Sequence, residues 1–273
     1  MEEDAAVSAE PGRDGARVIR RAVALLREVS ASRGQGAKLT ALAEAAGLPQ
    51  PTAHRLLSVL MREGLLERDE ATRAFRLGPL LYEFGLAAMP RVDIRRLCGP
   101  SLDRLATALG DTAYLNCRSG ADALCLDRRE GNFEIQATPV EVGNRRPLGV
   151  GSGALAVLAS LPSEEVDAVL ARNAGRYRRY GMTSERVRAL VEATRARGFA
   201  VTSGRIVARF RGVAVSIGNG VGGIPVALSV IAIEERLDVQ RIEKAVSLLQ
   251  REEKALRSIL GTEPSIQQKG FAT

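Results

Sequence analysis

The sequence predicts an α+β fold in two parts. A small N-terminal domain of helices closes on a hairpin, and a larger domain follows that is built on an antiparallel sheet. Three observations lead there. Between residues 17 and 78, apolar positions recur at helical spacing in three successive segments, followed by two short strand-like runs. Beyond residue 93, the runs TAYLNCR, ALCLDRR, RGVAVSI and IPVALSVIAI read as strands that do not alternate one-for-one with helices. The length, 273 residues, suits two domains at roughly 150 residues each.

The elements follow in order. Val18, Ala22, Leu25, Leu26 and Val29 form the stripe of an amphipathic helix that ends at Gly34 and Gly36. Leu39, Leu42, Ala43 and Ala46 give a short second helix, with Thr40 near its start and Gly47 as its stop. A third helix begins around Pro51, which is tolerated in a first turn where the amide has no partner. It buries Ala53, Leu56, Leu57 and Leu60 and presents Gln50, Thr52, His54, Arg55, Ser58 and Arg62. LLER and RAFRL flank Asp69–Thr72 as a hairpin, with Phe75 and Leu77 inward and Arg68, Arg73 and Arg76 outward. Residues 79–92 read as a linker helix and 93–109 as an amphipathic helix. FEIQATP (133–139) reads as a further strand. Helices are expected at about 152–160, 163–172 and 184–197, with Ser163 capping the second. A long helix runs from Val239 to Leu260, and residues 1–16 and 261–273 are expected to be flexible tails.

Charge sharpens the division. The formal net charge is +7. Residues 1–16 carry five acids against one Arg, whereas residues 17–78 carry eleven Arg/Lys against six Asp/Glu. The basic excess therefore sits in the small domain, behind an acidic arm, and suits a polyanionic partner. The single histidine, His54, leaves no room for Ser-His-Asp or Cys-His chemistry away from the third helix. Cys98, Cys117 and Cys125 lack the CxxC spacing of zinc sites and read as core residues of a reducing compartment. No metal, cofactor or catalytic residue is expected. The start of the chain lacks an apolar signal segment and no run is long enough to span a membrane, so a cytoplasmic protein is expected.

Helix, helix, turn, helix and basic hairpin is the order of a winged helix-turn-helix. Its third helix fits the major groove, with its first residues at base edges, while hairpin arginines reach phosphates. A charged helix face is more often simply solvated; the complete order of elements is what favours DNA. Gln50, Pro51, Thr52, His54, Arg55, Ser58 and Arg62 are the expected groove residues, with Arg68, Arg73 and Arg76 in the wing.

Two glycine runs need weighing. GNGVGG (218–223) matches GxGxxG, yet it lies between two strands and reads as a hairpin turn. GVGSGA (149–154) opens a helix, but no acid stands where a ribose would need one. Its physical content is a helix start whose free amides an anion can approach.

The segments LTALAEAAGLPQPTAHRLLSVLMREGLLERD and FRLGPLLYEFG, with RRPLGVGSGALAVLA, GFAVTSG and IPVALSVIAI, resemble the isocitrate-lyase-regulator (IclR) family of bacterial transcription factors. The resemblance covers roughly residues 17–260. It implies a winged helix-turn-helix, a linker helix and a GAF-like domain that binds a small effector. It also implies dimers or tetramers on a palindromic DNA operator. By resemblance the effector site falls on Leu148, Ser152, Gly153, Ala154, Thr202, Gly212, Ser229 and Ile231. A carboxylate would sit on the amides of Ser152 and Gly153, beneath Leu148 and Leu155. The sequence departs from the family's organic-acid binders, having Thr202 for an acid, Gly212 for a thiol and Ile231 for a hydroxyl. A less polar pocket, suited to a larger or aromatic carboxylic acid, is expected. The alternatives are a small-acid-converting enzyme with an N-terminal docking module, which no nucleophile–base pair supports, and a protein-binding scaffold.

Overall fold

A computed structural model of the chain describes residues 11–32, 35–87, 93–135, 138–204, 209–219 and 223–260. The chain separates into two units between Met89 and Pro90.

The first unit holds α1 (Pro11–Ala31), α2 (Leu39–Ala45), α3 (Gln50–Arg62), the hairpin strands β1 (Leu66–Arg68) and β2 (Phe75–Leu77), and α4 (Pro79–Ala87). Leu25 and Val29 of α1, Leu42 of α2, Leu57 of α3 and Phe75 of β2 close one core. Gly47, with φ of 62°, turns the chain between α2 and α3, and the Leu48 amide reaches back to the Ala43 carbonyl (2.8 Å). This left-handed closure is what a glycine supplies at little steric cost.

Three expectations are corrected here. The helix α1 starts at Pro11, so residues 11–16 are helical rather than tail. Pro11 can open a helix because its missing amide would lack a partner there. Val18 is exposed, since α1 begins well before the core that Leu25 and Val29 enter. Leu77 is also exposed, at 42%, while Phe75 is buried. Leu77 ends a three-residue strand opposite Leu66, and it is Leu66 that enters the helical core with Phe75. The expected segments 1–10 and 261–273, Gly34 and residues 88–92 of the linker lie outside the described residues.

The second unit comprises α5 (Ile94–Leu109), β3 (Thr112–Ser119), β4 (Asp122–Arg129), β5 (Arg145–Pro147), α6 (Ser152–Ala159), α7 (Ser163–Tyr177), α8 (Ser184–Arg197), β6 (Ala200–Ser203), β7 (Phe210–Asn219), β8 (Pro225–Ile233) and α9 (Val239–Leu260). A single turn of 3₁₀ helix (Arg178–Tyr180) follows α7. The sheet has the order β5-β4-β3-β8-β7-β6, and every neighbouring pair is antiparallel. The α+β architecture with an antiparallel sheet is as the sequence predicts.

FEIQATP does not supply a strand: its described residues, 133–135 and 138–139, are irregular. The place beside β4 is taken by Arg145–Pro147, and Phe133 instead lies under the Arg236 guanidinium, 3.5 Å from the ring centre. Ser163 is the first residue of α7 rather than its cap, and its hydroxyl accepts from Arg195 Nη1 (3.3 Å). Glu164 and Glu165 still place negative charge at the positive end of that helix.

Strand alternation creates two unlike faces. Val213, Val215 and Ile217 of β7 and Val226, Leu228 and Val230 of β8 pack under α5 and α9. The opposite face is made of small residues: Ala123, Ala214 and Ala227 meet α6, α7 and α8. Small residues bring α6 close to the sheet and leave a hollow where the helix begins.

Candidate nucleic-acid interface and ligand cavity

The α3 face expected to read DNA is on the surface. Gln50, Pro51, His54, Arg55 and Arg62 are exposed and Thr52 and Ser58 are half-buried, while Ala53, Leu56, Leu57 and Leu60 are buried. Amphipathic spacing thus separates the two sets. Ser58 Oγ donates to the His54 carbonyl (2.9 Å), which leaves the hydroxyl oxygen as an acceptor. His54, Arg55, Ser58 and Arg62 share one shallow hollow.

The three wing arginines differ from one another. Arg68 donates to the Arg73 carbonyl (3.2 Å) and stacks over Phe75 at 5.2 Å. Arg76 pairs with Asp69 (3.1 Å). Asp69 also accepts from the Thr72 amide (2.7 Å), and this bond, with the Thr72 hydroxyl and Arg76, holds its carboxyl below the usual value. Both guanidinia therefore serve the hairpin as well. Arg73 is exposed at the turn, with φ of 60°. That strained conformation stands at the tip of the hairpin, and among the described residues no acid pairs with the Arg73 guanidinium.

The second unit holds a cavity of about 150 Å³ between the start of α6 and the small-residue face of the sheet. An apolar void of about this size accommodates a benzene-sized ring. Seven of the eight expected effector residues line it: Ser152, Gly153, Ala154, Thr202, Gly212, Ser229 and Ile231. Leu148 does not. It is fully buried in the core with Leu155, and its carbonyl accepts from the Tyr177 hydroxyl (2.8 Å).

Gly151 caps α6 with φ of 96° and ψ of 156°, a conformation that side chains resist. Gly153 lies so close to the sheet that a methyl group would fall on the Asn116 amide nitrogen, which donates to Ser229 Oγ (3.1 Å). A methyl at Gly212 would stand 2.5 Å from Ser152 Oγ. Ser152 is 2% exposed, and its hydroxyl has no hydrogen-bond partner among the described residues. A buried polar atom left unsatisfied costs stability, so one facing a cavity marks a place where a ligand atom gains.

Sequence reasoning missed Asn116, Tyr114, Arg146 and Arg186 as lining residues. They come from segments distant in sequence, and only the register of β3, β4 and β5 brings the first three together. No aspartate or glutamate is among the described lining residues. Burial holds the Arg146 guanidinium below its ordinary pKa. Burial pushes the Cys98 and Cys125 thiols up to about 12 and the Cys117 thiol to about 11, so these are inert core thiols at neutral pH. Among the described residues, no three His, Cys, Asp or Glu side chains converge on a metal position, and no helix is long and apolar enough to cross a membrane.

Comparison with known proteins agrees with this arrangement. Residues 18–70 match the IclR helix-turn-helix domain, and residues 86–257 match the C-terminal domain of the bacterial transcriptional regulator IclR. The chain is 33% identical over 132 residues to the HTH-type transcriptional regulator KipR of Bacillus subtilis, a match covering 48% of this chain and 52% of that protein. It is 25% identical over 262 residues to the HTH-type transcriptional repressor AllR of Salmonella typhi, covering 94% and 95%. The fold is shared with the crystal structure of an IclR homolog from Microbacterium hydrocarbonoxydans complexed with 4-hydroxybenzoate, at a TM-score of 0.68, 24% identity, and coverage of 90% of this chain and 100% of that one. With both domain models matched in order across a helix-turn-helix unit and a sheet-based unit, the chain belongs to the IclR family of bacterial transcriptional regulators.

Proposed function

We propose that this protein is a cytoplasmic, non-enzymatic regulator that binds a palindromic operator as a dimer or tetramer and answers to a small carboxylic acid in the α6 cavity. The observation that carries the reading is the exposed polar face of α3, with Gln50, His54, Arg55 and Arg62 free of the core. A helix following a tight turn and flanked by a basic hairpin can enter a groove about 12 Å wide. Gln50, Pro51, Thr52, His54, Arg55, Ser58 and Arg62 form the groove face. Arg73 reaches a phosphate directly, and Arg68 and Arg76 stiffen the wing while adding to its potential.

Self-association is supported by apolar residues left in solvent on α1 and α4: Val18, Ile19 and Val23, then Tyr82, Phe84 and Leu86. Exposed apolar groups gathered on two helices mark a contact surface, and a two-fold partner would match a palindrome. The acid reading is supported by the open α6 amides, the unsatisfied Ser152 hydroxyl and the acid-free lining. The 4-hydroxybenzoate of the M. hydrocarbonoxydans homolog makes an aromatic acid the first ligand to try.

The experiment is a fluorescence-anisotropy titration of the DNA upstream of the protein's own gene, across salt concentrations. Affinity is expected to fall steeply with salt, with slope about −0.9 per phosphate contact. Arg55→Ala is expected to weaken specific binding by about 1–3 kcal/mol. Salt-insensitive binding, or equal affinity for unrelated DNA, overturns the reading.

A further inference from the structure

Arg146 lines the α6 cavity, and among the described residues no group of opposite charge stands beside it. It lies on β5, paired with Ala123 of β4. Its guanidinium donates to the Pro139 carbonyl (2.6 Å), and its electrostatic neighbours are Tyr114, Tyr180 and Cys125. The Tyr114 hydroxyl and Cys125 thiol are pushed up by burial, so both are neutral at pH 7. Among the described residues no carboxylate pairs with Arg146, whereas Arg211, which also lines the cavity, is paired with Glu234 (2.5 Å). Arg146 is half-buried. A cation withdrawn from water without a counter-charge is costly, and a bound anion is what relieves it.

The other anion-seeking feature lies elsewhere in the cavity. Gly153, in the first turn of α6, stands against Asn116 of β3, and the sheet order puts β3 two strands from β5. At about 4.8 Å per strand, that is roughly 10 Å between strand axes on a flat sheet, a span that a short para-substituted ring bridges. A ligand with one small anionic group satisfies the α6 end or the β5 end.

We propose that the preferred ligand is a dianion, an acid with a second carboxylate or comparably charged group seated on Arg146. Arg146 is then the residue that selects diacids over monoacids, with exposed Arg186 at the rim adding to the attraction. This deepens the acid-binding reading above and rests on it.

The test is isothermal titration of the full-length protein with 4-hydroxybenzoate and with benzene-1,4-dicarboxylate, which keep the ring and exchange a para hydroxyl for a second carboxylate. The dicarboxylate is expected to bind about 10- to 100-fold more tightly, as a charge-assisted hydrogen bond supplies. Arg146→Met is expected to remove that advantage, weakening the dicarboxylate about 10- to 100-fold and the hydroxybenzoate by much less, and Arg146→Lys to restore part of it. Equal affinity of the two acids for the natural protein overturns the proposal while leaving the acid-binding reading intact. Equal weakening of both acids by Arg146→Met does the same, because it assigns Arg146 to the shape of the cavity. If neither acid binds at millimolar concentration, the acid-binding reading falls and the proposal with it.

Discussion

At the scale of single residues, the cavity is held open by side chains that are missing. Gly212 has none, and the Ser152 hydroxyl occupies the room beside it. Gly212→Ala is expected to destabilise the second unit by about 1–3 kcal/mol, the usual cost of overpacking. Ser152→Ala in the same chain should recover part of that loss, because it removes the atom closest to the added methyl. Urea unfolding of the single and double variants checks both statements; equal stability of Gly212→Ala and the parent would show that the helix start yields freely. Arg73 presents the reverse situation, a side chain kept despite a left-handed backbone (φ 60°). Arg73→Gly is expected to stabilise the hairpin by about 1 kcal/mol by relieving strain. The same change should weaken DNA binding and reduce the salt slope by about one. A variant that is more stable yet a poorer binder would identify the strain as functional; unaltered DNA affinity would remove Arg73 from the interface.

Among elements, α5 and α9 cover one face of the sheet and are clamped to each other by a charge pair. Glu252 accepts from Arg104 Nη2 at 2.6 Å and from Nε at 3.1 Å, and Arg104 also donates to Ser101 (3.1 Å). Burial pushes the Glu252 carboxyl up, but the bonds from Arg104 and Ser101 and the Arg104 charge outweigh it and leave the group below the ordinary glutamate value of 4.5. A carboxyl lowered in the folded state stabilises the fold fully above 4.5, and the contribution is lost as pH falls through the folded value. Glu252→Gln is therefore expected to cost about 1–2 kcal/mol at pH 7, at the low end for a charged bond because Arg104 is half exposed. The difference from the parent should shrink below pH 4.5, which acid titration of the thermal midpoint would detect. A constant difference from pH 7 to pH 3 would assign the effect to packing alone.

For the whole molecule, regulation requires that the acid and DNA affect each other's affinity. If the acid changes DNA affinity by some factor, operator DNA must change acid affinity by the same factor, commonly 5- to 150-fold. Calorimetry with benzene-1,4-dicarboxylate, with and without saturating operator, measures this directly. A DNA-independent affinity for the acid would leave two binding activities in one chain without regulation. Much of what such a test assumes is visible in one dimension. Leu25, Leu42, Leu57 and Phe75 recur at the spacing of their helices and strand, and all are buried in one core. The polar residues between Ala53 and Leu60 land on the outer face for the same reason. The cavity was only half visible: GVGSGA marked a helix start open to anions, because glycine there has a local meaning. Asn116 and Arg146 carry no such mark, since what they face depends on strand register.

The sequence by itself determined the order of elements in the first unit, the concentration of positive charge there, the exposed polar face of α3 and the glycines that open α6. Each follows from interactions between residues close along the chain: helical and strand periodicity, turn conformation, and the lack of a partner for the first amides of a helix. Tertiary structure decided the rest. It put Leu148 in the core rather than the cavity and gave the sheet edge to Arg145–Pro147 instead of FEIQATP. It tied Arg76 to Asp69 and left Arg146 lining the cavity with no carboxylate beside it among the described residues. Those outcomes depend on which distant segments pair and pack, and a cation is free or spent according to whether a carboxylate from elsewhere in the chain arrives beside it.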